Sequence, residues 1–213
     1  CRFPTRERAV PERVVVVTGG GRGIGAATSL LAAERGYSVV VNYLSRSDDA
    51  EEVVAAILKR GGRAVAVRGD ASETEDVDHI FRSADRMGRL AGLVNNAGIV
   101  DLAARVDEMT AERLSRIFAV NVTASFLCAG AAIRRMSTRQ GGSGGAIVNV
   151  ASTGSKIGSP GQYVDYAAAK GARTTTTADD TLKEKSRDAT VISGGHLVAK
   201  ALKAEGVDTI FTL

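Results

Sequence analysis

Thr18-Gly-Gly-Gly-Arg-Gly-Ile-Gly25 is the stretch whose reading decides the fold. It follows the apolar run Val14–Val17 and precedes a segment with helical spacing, so it reads as a glycine-rich turn between a buried strand and a helix. Only glycine lets backbone amides approach a pyrophosphate closely, with the helix N-terminus aimed at its charge. Gly19, Gly21, Gly23 and Gly25, with Arg22 and Ile24 between them, are therefore the first candidate nucleotide-binding residues.

Outward from this turn, strand and helix signals alternate. Arg13–Thr18 reads as a strand and Gly23–Arg35 as its helix. Ser38–Tyr43 is a second apolar run, followed by a helix through Lys59. Arg63–Gly69 and Ala91–Asn95 are further strands around a helix over Glu73–Met87. Continuous Val-rich strands with intervening helices predict an α/β fold, a Rossmann-type doubly wound parallel sheet. Leu114, Ile117, Phe118, Val122, Ser125 and Phe126 are expected to form the inner face of a long helix reaching about Ser137. A glycine-rich loop over Gln140–Gly145 then leads to a fifth strand over Ala146–Ala151.

A second run carries chemistry. Tyr166-Ala-Ala-Ala-Lys170 puts a phenol and an ammonium at i and i+4, on one face of a helix. A phenol ordinarily ionises near pH ~10, and an adjacent ammonium favours the phenolate, which suits a tyrosine to proton transfer near neutrality. A dinucleotide turn followed by a proton-transferring tyrosine implies hydride-transfer chemistry. Tyr163 has no lysine four residues on.

These runs resemble the short-chain dehydrogenase/reductase family over about residues 10–172, in particular reductases of the 3-oxoacyl-carrier-protein reductase and glucose 1-dehydrogenase type. Gly19, Gly23 and Gly25 match its G-x-x-x-G-x-G turn, and Asn95-Asn-Ala-Gly98 matches its Asn-Asn-Ala-Gly motif. Asn121, Ser152, Tyr166 and Lys170 match its active-site tetrad in order. The resemblance implies that Asp70 and Ala71 contact the adenine, that Asn96, Ala97 and Gly98 line a cofactor ribose, and that Lys170 binds the nicotinamide ribose. It also implies that Asn121 holds a water connecting to Lys170. Asp70 reads equally as a helix-capping aspartate, and Asn121 as a core asparagine that needs partners. Ser152 extends the fifth strand directly, at the sheet end where ligands collect, and is preferred over Ser155 for binding the substrate oxygen. Family members assemble as dimers or tetramers through two long helices, here 111–137 and 163–185.

Cofactor choice is read at the end of the second strand. An acidic residue there would repel a 2′-phosphate. This chain offers Asn42, Tyr43, Ser45 and Arg46 instead, with Arg22 in the turn, so NADP(H) is the expected cofactor. The expected substrate is a small-molecule carbonyl or the corresponding alcohol.

The bulk properties narrow the remaining classes. With 213 residues the chain suits one main domain. Its net charge of +4 is scattered, tryptophan is absent and no basic block is interleaved with aromatics, so nucleic acid is not an expected partner. No apolar stretch is expected to approach the ~20 residues of a membrane span. Two cysteines, Cys1 and Cys128, make no disulfide framework and suit a reducing cytoplasm. Cys128 reads as packing, and His79 and His196 lie too far apart in sequence to suggest a metal site. Arg134, Arg135 and Arg139 read as a solvated helix end.

After Ala172 the text changes. Thr174–Thr177 is β-branched, Asp179–Asp188 is charged, and Val191–Leu213 resembles the opening of a thiamine-diphosphate-dependent enzyme of the acetolactate synthase kind, without that family's cofactor-activating glutamate. The expected organisation is a dehydrogenase-like domain over 1–188, its sheet truncated after the fifth strand and the tyrosine helix, with a foreign tail over 189–213. The start on Cys1 fits a fragment or fusion of two truncated coding segments. Thr190–Ser193 and Val207–Thr212 are strand-prone around an amphipathic Gly195–Glu205, in the order needed to dock as crude sixth and seventh strands. Weak NADPH binding and poor turnover are the expectation for such a chain, and a non-catalytic nucleotide-binding fragment is its rival.

Overall fold

The computed structural model describes residues 12–173 and the strand over 209–212. Strands β1 (Arg13–Val17), β2 (Ser38–Tyr43), β3 (Ala64–Arg68), β4 (Arg89–Asn95) and β5 (Ala146–Asn149) alternate with helices α1 (Gly23–Glu34), α2 (Ser47–Lys59), α3 (Thr74–Met87), α4 (Ala111–Phe118) and α5 (Ala124–Met136). Two further helices, α6 (Gly154–Ile157) and α7 (Val164–Arg173), come after β5, and β6 is Thr209–Thr212. The strands form one sheet in the order β3-β2-β1-β4-β5-β6, and every pairing is parallel.

The valine run explains the double winding. Along β1, Val14 and Val16 point into one hydrophobic cluster with Ile80, Phe81, Cys128 and Met136, while Val15 and Val17 point into another with Ala50, Val53 and Ile57. Side chains alternate across a strand, so a strand apolar at every position needs a helical layer on each face. Helices α3 and α5 cover one face; α1 and α2 cover the other. Each buried Val, Leu or Phe contributes roughly 1.5–3 kcal/mol relative to exposure. The strand order reverses between β1 and β4, which opens a crevice at their C-terminal ends.

Five expectations need correction. The sheet does not end at β5. Ala146–Asn149 pairs with Thr209–Thr212 in register, which gives the backbone groups of β5 a ladder partner on that side. This strand, expected within Val207–Thr212, takes the sixth position directly beside β5, where Thr190–Ser193 was expected. Thr190–Ser193, Gly195–Glu205, His196, Cys1 and the far end of the expected 163–185 helix lie outside the described residues.

The helix over 111–136 is continuous but its inner face differs from the one expected. Ile117, Ser125, Cys128, Ala131, Ala132 and Met136 are buried, whereas Leu114, Phe118 and Phe126 are 37%, 39% and 47% exposed. A π-helical segment over Ala119–Thr123, with Asn121 buried in it, joins the two halves of the helix. Small residues carry the close contact with the sheet. By length and composition Ala111–Met136 would suffice to cross a bilayer, against expectation, although its buried side is packed as a core helix. Arg135 is not a solvated end charge: its guanidinium bonds both carboxylate oxygens of Asp85 and lies over the Phe81 ring.

Candidate active site

The glycine turn is shaped by backbone contact. Gly19 has φ +60° and Gly23 φ +52°, a region that side chains rarely adopt. At Gly25 the constraint is space: a Cβ would lie 2.2 Å from the Gly19 carbonyl oxygen and 2.6 Å from Asn96 Nδ2. The start of α1 therefore runs directly onto the turn. Arg22, at the helix N-cap, makes no side-chain cap, and the first turn carries no acidic residue. An uncapped, acid-free helix start is a fit for a phosphate, because its orphan N–H groups and positive dipole end are left for the ligand.

Thr18 stitches this turn to the Asn-Asn-Ala-Gly loop. Its Oγ1 accepts from the Asn96 and Ala97 N–H groups at 3.1 and 3.0 Å, while Asn96 Nδ2 donates to the Thr18 and Gly19 carbonyls, both at 3.0 Å. Its importance was not visible in the sequence, because its partners lie far along the chain. Asn42 is buried beneath the turn. Its amide donates to the Gly69 and Val67 carbonyls and its Oδ1 accepts from Gly19 N–H, so it acts through the turn. Tyr43 is half-buried against the α1–α2 side, and Ser45 and Arg46 are exposed at the start of α2. Arg46 pairs with Asp49 at 2.7 Å in solvent, a contact of little energy that leaves the guanidinium able to swing. Asp70 does not cap α3. Its Oδ1 accepts from the N–H and hydroxyl of Ser72, and the Asp70 N–H donates to Asp76. Ala71 is buried beside it.

Asn121 sits inside the π segment and is fully buried. Its amide pairs with both backbone groups of Ile99, donating to the carbonyl at 2.8 Å and accepting from the N–H at 3.2 Å, and also donates to the Ile117 carbonyl. Lys170 is buried on α7, donates to the Val150 carbonyl at 3.3 Å and lies 5.6 Å from the centre of the Tyr166 ring. A Cβ on Gly98 would meet Asn121 Oδ1 at 2.7 Å and Lys170 Nζ at 2.9 Å, so these two polar ends converge on Gly98. The structure thus gathers Gly98, Asn121, Tyr166 and Lys170.

Ser152 lies just past β5, and its Oγ accepts from Gly154 N–H at 3.2 Å. Ser155, the alternative, donates its hydroxyl to the Ser152 carbonyl at 2.6 Å from the short helix α6, which packs against α7. A cavity at the opposite, N-terminal edge of the sheet, lined by residues including Glu12, Tyr37, Arg60 and Arg63, contains none of these residues.

Two residues absent from every motif support the tyrosine helix. Asp165, just before Tyr166, is buried and paired with Arg113 at 2.8 Å. Burial pushes its carboxyl up, but the Arg113 bonds and charge and the Tyr166 N–H outweigh burial and hold it below the ordinary value. The same hydrogen bond raises the Arg113 guanidinium.

A family model described as short chain dehydrogenase matches residues 13–194, running past Ala172, where the sequence resemblance was expected to stop. The chain is 50% identical to the uncharacterized oxidoreductase YgfF of Escherichia coli, over 77% of this chain and 67% of that protein. It is 38% identical to the 3-oxoacyl-[acyl-carrier-protein] reductase of Synechocystis, over 76% of this chain and 64% of the reductase. Among solved structures, a dehydrogenase/reductase from Sinorhizobium meliloti aligns with TM-score 0.75 at 28% identity, covering 94% of this chain and 71% of that one. Acetoin dehydrogenase from Enterobacter cloacae aligns with TM-score 0.70 at 36% identity, covering 78% and 64%. This chain thus spans about two thirds of the length of several of the proteins it matches.

Proposed function

The chain belongs to the short chain dehydrogenase family, and from that premise we propose that it interconverts a small-molecule carbonyl and a secondary alcohol with NADP(H). The observation that carries this reading is the meeting of Asn121 and Lys170 at Gly98, with Tyr166 beside Lys170, on the loop whose Asn96 and Ala97 bond a glycine turn with neither cap nor acid at its helix start. When bound, the nicotinamide supplies or accepts the hydride. The backbone N–H groups at the start of α1 hold the pyrophosphate, and Arg22 and Arg46, with no carboxylate at the end of β2, receive a 2′-phosphate. Ser45 and Tyr43 line the adenosine side, with Asp70 and Ala71 at the adenine.

Tyr166 gives its phenolic proton to the carbonyl oxygen in reduction and removes it in oxidation. Ser152 orients the same oxygen through its hydroxyl. Lys170 keeps an ammonium beside the phenol and reaches the nicotinamide ribose. Asn121 fixes the backbone at Ile99 and so the wall that Gly98 leaves open. The likeness of residues 191–213 to a thiamine-diphosphate enzyme enters no step. We further infer a homodimer or homotetramer through the 111–137 face, where Leu114, Phe118 and Phe126 stand half-exposed, and a cytoplasmic location.

The alternative reading is a nucleotide-binding chain without turnover. NADPH titration followed by a panel of ketones and aldehydes separates the two. Saturable NADPH binding with carbonyl-dependent oxidation that Tyr166→Phe abolishes supports the enzyme. Binding without any turnover supports the alternative.

A further inference from the structure

One guanidinium joins three segments around the tyrosine helix. Arg113 projects from α4. Its Nε donates to Asp165 Oδ2 at 2.8 Å and its Nη2 to Asp165 Oδ1 at 3.3 Å, while Nη1 donates to the Leu102 carbonyl at 2.8 Å. Asp165 Oδ1 also accepts from the N–H of Tyr166 at 2.8 Å. The loop that leaves β4 is held to the same place twice more. Ala104 N–H donates to the Gln162 carbonyl at 2.9 Å, and Arg116, one turn further along α4, pairs with Asp101. Arg113 and Asp165 are nearly excluded from solvent, with side-chain exposures of 12% and 1%.

We propose that Arg113 and Asp165 are positioning residues that set Tyr166 against the loop carrying Gly98. The inference rests on the reading of Tyr166 as the proton-transfer group. The planar fork of arginine fixes orientation as well as distance, which an ammonium at the same place would not do. The carboxylate stands in the first turn of α7, where it takes up an N–H that the helix leaves without an internal partner and opposes the positive dipole end. Its position on the backbone of Tyr166 itself distinguishes it from an ion pair that merely adds stability. A shift of α7 relative to the loop moves the phenol relative to Gly98, and a displacement of ~1 Å at such a site can cost ~100-fold in rate.

The test compares the full chain with Arg113→Met, Arg113→Lys and Asp165→Asn, by amide hydrogen exchange and by NADPH-dependent carbonyl reduction. Arg113→Met is expected to speed exchange by about tenfold or more over both 99–105 and 164–170, while β1 and β2 keep their protection. It is expected to lower kcat by roughly 10–100-fold with KM for NADPH changed less than about twofold, and Arg113→Lys to recover part of that loss. Faster exchange spread evenly over the sheet, or unchanged exchange at 164–170, overturns the proposal. So does lost protection with unchanged kcat, which leaves the reading of Tyr166 standing. If the unsubstituted chain turns over no carbonyl, that reading falls and the exchange pattern alone decides the positioning role. Should Arg113→Met fail to fold, Asp165→Asn carries the same comparison, since its amide oxygen still accepts from Tyr166 N–H while the ion pair is gone.

Discussion

The two ends of the candidate site are built by different means. The glycine turn is shaped by backbone lying on backbone, with no room at Gly25 for a single added carbon. The tyrosine helix is held from outside, by a guanidinium 52 residues away in sequence, by the loop after β4 and by α6. The first region is sensitive to any added atom, and its backbone is held in addition by the Asn42 and Asn96 side chains. The second is set by partners that no local pattern announces. Nucleotide binding and proton transfer should therefore fail separately.

The largest expected effect breaks the second region alone. Tyr166→Phe should lower turnover by about 10²–10⁴, the usual contribution of a positioned acid or base, and leave NADPH affinity nearly unchanged. Tyr163→Phe should be mild, and steady-state kinetics on both variants checks the ranking. Gly25→Ala breaks the first region. The methyl meets the Gly19 carbonyl oxygen, and overpacking of this kind costs up to ~3 kcal/mol, so NADPH affinity measured by fluorescence titration should fall by roughly 100-fold.

A smaller effect concerns cofactor choice. NADPH should bind more tightly than NADH, and Arg46→Asp should narrow or reverse the preference by a factor of a few, as befits an exposed charge. Equal affinities in the unsubstituted protein would remove the argument. The smallest effect is pH-dependent. The Asp165 carboxyl is held below its ordinary value in the folded chain, so its stabilising contribution is complete above the unfolded value of ~3.9 and disappears as pH falls through the lower folded value. Asp165→Asn should lower Tm at pH 7 by at least about 2–4 °C, and the gap should shrink in acid; thermal unfolding at pH 7 and pH 3 checks both.

Legibility tracked sequence distance. The turn at 18–25, the valine strands and the Tyr166–Lys170 pair are patterns within one element, and the first five strands appear where the alternation placed them, apart from a few boundary residues. The helix over 111–136 shows where pattern reading goes astray. Its apolar residues were visible, yet packing on the sheet left Leu114, Phe118 and Phe126 half-exposed and gave the core to Ala131, Ala132 and Cys128, small residues that allow close approach. Arg135 and Asp85, and Thr18 with Asn96, were equally hidden, because each pair meets only when the sheet has formed.

What the sequence by itself determined is the class of fold and the chemical kinds of group at the site. Steric demands of glycine, the alternation of strand side chains and the i, i+4 geometry of a helix act within a few residues. What only the tertiary structure decided is how those groups are held. Asn121 finds Ile99 across 22 residues, Arg113 finds Asp165 across 52, and Thr209–Thr212 pairs with β5 from the far end of the chain. Such contacts depend on where packed elements bring their surfaces together, and no local propensity encodes that.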